Sequence, residues 1–144
     1  MNRLVRNSLL AGSLAFMPLT AHAQLTNGSF ENGNFTGINP FSLAHLTDLN
    51  PGDTNMTGWT VAFGEITWQE VGYPSTQVPS DGNRWLDLTG GHDATPEGGV
   101  QQNVTLVPGH LYTLGFDLGY NINNPTSPDS VIASVAGVTQ TFNN

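Results

Sequence analysis

Apolar and polar residues alternate along three consecutive runs in the second half of the chain. In the first, Leu86 and Leu88 fall on one side, and Trp85, Asp87 and Thr89 on the other. In the second, Val100, Val104 and Leu106 oppose Gln101, Asn103 and Thr105. In the third, Tyr112, Leu114, Phe116 and Leu118 alternate with Thr113, Gly115 and Asp117. A period of two predicts half-buried strands, because successive side chains leave a pleated strand on opposite faces. Pro108-Gly109 joins a fixed φ to a permissive residue, so the second and third runs are predicted to form an antiparallel hairpin.

The same pattern is weaker elsewhere. Leu25 to Glu31 is predicted as a first strand, bent or bulged at Asn27-Gly28. Asn32 to Thr57 is rich in Asn, Gly, Thr and Pro, with Phe35, Ile38, Phe41, Leu43, Leu46 and Leu49 scattered through it. Within it, Phe41 to Leu49 fits a short helical turn as well as a short strand. So long a connection is uncommon in a compact domain, and it is predicted to wrap an edge and to be a place for function. Trp59, Val61 and Phe63 share one face, and Ile66 and Trp68 another, which predicts two short strands around Gly64. Gly72 to Ser80 and Asn121 to Pro128 are loops, and Val131–Val135 with Val138–Phe142 forms a closing hairpin across Ala136-Gly137. No stretch has the period of a proper helix. About eight short antiparallel strands joined by Gly, Pro and Asn turns predict an all-β sandwich.

The first 23 residues stand apart. Arg3 and Arg6 precede an apolar run from Leu9 to Leu19, and Ala21-His22-Ala23 has the small-x-small form of a cleavage site. This is the pattern of a secretory signal peptide, so residues 1–23 are read as a leader and 24–144 as one domain that is secreted or held at the cell envelope. No later stretch is apolar enough to span a bilayer as a helix. All 11 acids follow Ala23, and Arg84 is the one base beyond it, a formal charge of −10 for residues 24–144. Nucleic acid and anionic lipid are poor partners for such a surface, whereas a divalent cation suits it. The chain has no cysteine, so disulfides, thiol catalysis and thiolate metal sites are excluded. A domain of about 120 residues buries about 60% or more of its unfolded surface and is held by that core.

Six pieces occur in a recognisable order. They are Asn27-Gly28-Ser29-Phe30-Glu31, Gly58-Trp59-Thr60-Val61, Ile66-Thr67-Trp68, Asp81 to Leu88, Gly98-Gly99-Val100-Gln101-Gln102, and Pro108 to Leu118. Together they resemble the choice-of-anchor C family of exported bacterial proteins. That family is similar to plant cell-wall proteins that carry the same domain of unknown function. The resemblance covers most of the chain from Leu25 onward. It implies a galactose-binding-like jelly roll and a life on cell walls or in extracellular matrix. Members usually run on for several more strands, so it also implies that this chain stops before the strand that would close the sandwich. The chain departs from the family at Thr67, where an acid is usual, and at Trp85, where a small residue is usual.

Candidate chemistry is sparse. In related jelly rolls an acid in the position of Glu31 joins a structural calcium site, and calcium takes about six to eight oxygen ligands. Glu31 is therefore the candidate metal ligand, and Ca²⁺ the one implied cofactor. Asp48-x-Asn50-x-x-Asp53 is oxygen-rich but lacks the spacing of a calcium loop. Trp85 lies opposite the two leucines of its strand. If those leucines face the core, Trp85 can stack on a sugar ring, with Asp87 and Arg84 beside it to bond hydroxyls. The competing reading packs Trp85 under a loop. His45, His92 and His110 form no metal-binding pair, and no nucleophile elbow, zinc-protease motif or phosphate loop is present. The expectation is a non-catalytic exported sandwich that binds polysaccharide or a matrix glycan. The alternative is an adhesive surface protein that binds other proteins or itself.

Overall fold

The computed structural model describes residues 23–37, 44–72, 78–91, 97–119 and 130–143. Among them there is no helix, and so none that is long and apolar enough to cross a membrane. Seven antiparallel strands form three sheets: β1 (Leu46–Leu49), β2 (Thr60–Phe63), β3 (Ile66–Glu70), β4 (Arg84–Asp87), β5 (Gly99–Gln101), β6 (Ser130–Val135) and β7 (Val138–Asn143). The first sheet has the order β1–β3–β4, the second pairs β2 with β5, and the third is the hairpin β6–β7.

The first two sheets face each other across one core, which makes the architecture a β-sandwich. Leu49, Ile66 and Trp68 come from the first sheet and Val61 from the second, and all are buried with Met56. Leu86, Leu88, Val100, Trp59, Phe30 and Phe35 pack around them. Register explains the selection. Ile66 pairs with Leu49 and Trp68 with Leu86, and directly paired residues share a face. Trp68 is fully buried, with its indole N–H donating to the Phe30 carbonyl at 2.9 Å and its ring edge-on to Phe35 at 5.0 Å. Thr47, also buried, accepts from the Thr36 and Gly37 amides at 3.2 Å through its hydroxyl. The segment around Phe35 is thereby pinned across β1.

The long polar connection thus has structure of its own: β1 is a strand, which settles its Leu46–Leu49 part, while residues 41–43 lie outside the described residues. Three expectations are corrected. Leu25 to Glu31 is a turn, not a strand. Asn27 and Phe30 have φ of 53° and 61°, and the Phe30 amide donates to the Asn27 carbonyl at 3.1 Å. Asparagine suits this, because its side chain supplies the local bonds that a strand partner would otherwise make. Its Oδ1 accepts from the Asn32 amide at 2.9 Å, and its Nδ2 donates to the Asn32 and Thr57 carbonyls.

The hairpin expected across Pro108-Gly109 is the second correction. The turn forms, with Gly109 at φ 82°, but β5 ends at Gln101 and no strand is assigned between 102 and 119. Instead the Val107 amide donates to the Tyr112 hydroxyl at 2.7 Å. Alternation reports a pleat, but a ladder also needs a partner. Third, Phe63 leaves the face of Val61. The register slips between them, Val61 pairing with Val100 and Phe63 with Gly99, and Phe63 is 57% exposed. Such a bulge turns the next side chain away from the face its neighbours share.

The closing hairpin forms where expected, in unbroken register from Ser130↔Asn143 to Val135↔Val138. Its two-residue turn places Ala136 at φ 50° and Gly137 at φ 82°. Two left-handed residues define the turn that matches strand twist, and asparagine fills the first position better than alanine. Ala136→Asn should stabilise the hairpin by about 1 kcal/mol. Hydrogen exchange at the Val135 and Val138 amides should slow about fivefold in that variant, and faster exchange would refute the turn assignment.

Candidate functional site

Adjacent residues of β4 divide between two faces, and this separates the residues expected to act together. Arg84 pairs with Glu70 and Leu86 with Trp68, on the core side. Trp85 pairs with Gln69 and Asp87 with Thr67, on the opposite side.

Arg84 is a clasp. Its Nη1 donates to the Glu31 carbonyl at 2.6 Å, and its Nη2 and Nε donate to Glu70 Oε1 at 3.0 and 3.3 Å. The guanidinium lies over the Phe35 ring at 4.4 Å and the Trp68 ring at 5.2 Å. The other oxygen of Glu70 faces His45 Nδ1 at 3.7 Å. Glu31 Oε1 accepts from the Asn83 and Arg84 amides at 2.8 and 2.7 Å. Gly82, at φ 70°, lets the turn close over that carboxylate, since any Cβ there would collide with it. Two amide donors thus converge on one oxygen of Glu31, and the Arg84 guanidinium caps its backbone carbonyl. Among the described residues, no group of three or more His, Asp or Glu is placed to hold a metal.

On the opposite face, Asp87 is held by its neighbours. Its Oδ1 accepts from the Thr89 amide and hydroxyl at 3.0 and 2.7 Å, and its Oδ2 from Gln69 Nε2 at 3.1 Å. Thr67 donates to Asp48 Oδ1 at 2.9 Å. Thr67 and Gln69 are buried, and Trp85 is half-buried. The Trp85 indole nitrogen is buried and has no partner among the described residues. Trp85 and Asp87 therefore share a face, but it is a half-buried polar layer and not an open stacking platform, and Arg84 does not join them. Asp53 closes its own turn, its Oδ2 accepting from the Asn50 amide at 2.8 Å. His92 lies outside the described residues.

A different place offers open hydrogen-bonding groups. Thr26, Gly58, Thr60, Gln101, Gln102 and Asn103 line a shallow cleft of about 270 Å³ beside the β2–β5 sheet. Thr60 and Gln101 are directly paired across that sheet. Val61 and Val100, the next pair, face the core, so Thr60 and Gln101 face outward. Gln102 fastens one side of the cleft. Its Oε1 accepts from the Thr26 amide at 2.7 Å, and its Nε2 donates to the Thr26 and Gly58 carbonyls at 2.8 Å each. Gly58 has φ 82°, and a Cβ there would come within 2.9 Å of the Thr26 side chain. Trp59 backs this wall, with its N–H on the Asn27 carbonyl at 2.9 Å and its ring 5.2 Å from Phe30. No charged residue and no aromatic ring is among the lining residues. The polar side of Val100-Gln101-Gln102-Asn103 was visible in the sequence; its meeting with Thr26 and Gly58 was not, because from Gln102 those residues lie 76 and 44 positions away.

Fold and cleft together define an all-β sandwich protein with a neutral, amide- and hydroxyl-lined groove on one sheet. The chain belongs to the DUF642 family, described as "Protein of unknown function", which it matches over residues 23–144. No curated protein and no solved structure matches it.

Proposed function

We propose that the chain is an exported, non-catalytic sandwich of the choice-of-anchor C kind that binds a neutral polysaccharide at the cell envelope or in the matrix. The observation that carries this reading is the cleft lined by Thr60, Gln101 and Asn103, which is open and uncharged. Sugar hydroxyls both donate and accept, as do primary amides and threonine hydroxyls, so this lining suits a hydroxyl-rich ligand. The charge of the domain selects among glycans. Eleven acids against Arg84 repel a polyuronate and leave a neutral polymer unaffected. Export rests on the pattern of residues 1–23, and the galactose-binding-like jelly roll on the ordered motifs.

Affinity electrophoresis through gels containing neutral and acidic polysaccharides tests the reading. A neutral glycan should retard the folded chain, and Gln101→Ala with Asn103→Ala should weaken retardation about tenfold, the loss of one or two hydrogen bonds. Trp85→Ala should bind as the parent does if it remains folded. Retardation lost in Trp85→Ala but kept in the Gln101/Asn103 variant would move the site to the β3–β4 face. A folded chain that no glycan retards would overturn the proposal.

A further inference from the structure

We propose that the outer face of the first sheet holds a hard divalent cation between Asp48 and Asp87, on the opposite side of the sheet from the Arg84 clasp. Asp48 and Asp87 each pair with Thr67, one from β1 and one from β4, so the three form one row across the sheet. Leu49 and Ile66, the next pair along, face the core, so this row faces away from it. Gln69 follows two residues after Thr67 and shares its face. Both carboxylates are drawn over β3: Thr67 Oγ1 donates to Asp48 Oδ1 at 2.9 Å, and Gln69 Nε2 donates to Asp87 Oδ2 at 3.1 Å.

Two oxygens of this cluster, Asp48 Oδ2 and Gln69 Oε1, are buried and have no partner among the described residues. Gln69 is only 5% exposed, and a buried acceptor left unpaired is costly. Its amide cannot be reversed to find a donor, because that would set Oε1 against the Asp87 carboxylate. The backbone after β4 closes over the row. Thr89 bonds Asp87 through its amide and hydroxyl, and a Cβ at Gly91 would lie 3.0 Å from Asp48 Oδ1. An amide carbonyl and an ionised carboxylate only accept, so a donor or a cation must complete the two oxygens.

Charge selects the cation. Arg84 is the one Lys or Arg beyond residue 23, and its guanidinium is engaged with Glu31 and Glu70 on the core side. No ammonium or guanidinium of the domain therefore neutralises Asp48 and Asp87. A water would satisfy the two acceptors but leave two uncompensated negative charges on one half-buried face. A divalent cation satisfies the acceptors and cancels the charge. The ligands on offer are all oxygens, two carboxylates with the Gln69 carbonyl and the Thr67 hydroxyl, which is the donor set of a hard ion. Calcium suits it better than magnesium, because oxygens placed by strand register do not form a regular octahedron and calcium tolerates uneven geometry.

Calorimetric titration of the purified chain with calcium chloride, and thermal unfolding in calcium and in chelator, test this. The expected result is a saturable heat of binding and an unfolding midpoint about 5 °C higher in calcium than in chelator. Asp48→Asn and Asp87→Asn keep the side-chain shape and remove one charge. Each should weaken calcium binding about tenfold or more and lose the rise in midpoint. Asp81→Asn removes an exposed charge before the start of β4 and should respond to calcium as the parent does. Should an Asn variant misfold, terbium, an oxygen-seeking probe of calcium sites, gives a second readout on the parent. Trp85 stands on the same face as Gln69, its pair. Tryptophan-excited terbium emission should therefore appear, be displaced by calcium and fall severalfold in Trp85→Phe. A folded chain with neither heat nor a shift in midpoint would overturn the proposal and leave the two acceptors to a bound water. A response that Asp81→Asn diminishes as much as Asp48→Asn would overturn it too, as diffuse attraction to an acidic surface. So would a response lost in Glu31→Gln but kept in Asp48→Asn, which would place the ion at Glu31.

Discussion

Trp68→Ala is expected to lose the folded state, or to lower its midpoint in urea so far that no native baseline remains. Trp68 is fully buried at the centre of the core, in contact with both sheets' contribution to it. Emptying a buried tryptophan site costs about 3–5 kcal/mol. The substitution also strips the Phe30 carbonyl of its N–H donor, and losing a hydrogen bond at this part-buried acceptor costs about 1 kcal/mol more. A small domain has about 5–15 kcal/mol in total, so the combined loss consumes much of it. Phe35 and Arg84 would lose the ring they pack on as well. Trp68→Phe separates the terms, because it keeps most of the volume and removes the hydrogen bond; its loss should be roughly half as large. A loss below about 1 kcal/mol for Trp68→Ala in urea unfolding would show that this tryptophan is not in the core.

Arg84→Ala should cost about 2–3 kcal/mol, more than a surface ion pair returns and less than a fully buried one. The residue joins three segments: the Glu31 carbonyl, the Glu70 carboxylate and the Phe35 ring. Its side chain is 20% exposed and that of Glu70 30%, so solvent screens part of the attraction. Removing Arg84 leaves Glu70 facing His45 Nδ1 at 3.7 Å among the described residues. Arg84→Lys should recover less than half of the loss, since one ammonium cannot bond Glu31 and Glu70 together while lying flat on Phe35. In a double-mutant cycle, Arg84→Ala with Glu70→Gln should show coupling of about 1 kcal/mol. Zero coupling would show that the ion pair contributes nothing and that the cation acts through its contact with the rings.

If Arg84 is a clasp, its loss should lower stability and leave glycan retardation of the folded fraction unchanged. A variant that remains as stable as the parent but loses retardation would return Arg84 to a ligand-binding role. The same comparison for Glu31→Gln addresses calcium. One of its oxygens binds the Asn83 and Arg84 amides, so the variant should weaken the clasp whether calcium or chelator is present.

Much of the fold was legible along the chain. The period-two runs around Trp85, Val131 and Val138 became strands, and Trp68 with Ile66 became core, because pleat and burial act on neighbouring residues. The sequence by itself determined an all-β chain, its acidic surface beyond residue 23, its lack of cysteine and the Ala136-Gly137 hairpin. All of these depend on composition or on residues close together. Tertiary structure decided the rest. It turned Leu25–Glu31 into a turn held by Asn27, left Tyr112–Leu118 without a ladder and rotated Phe63 outward at a bulge. It also put Arg84 on the core side with Glu31 and Glu70, away from Trp85 and Asp87, and brought Thr26 and Gly58 to Gln102. Each of these outcomes depends on which distant segment supplies the partner for a hydrogen bond, a ring or a strand edge. Local alternation carries no record of that partner.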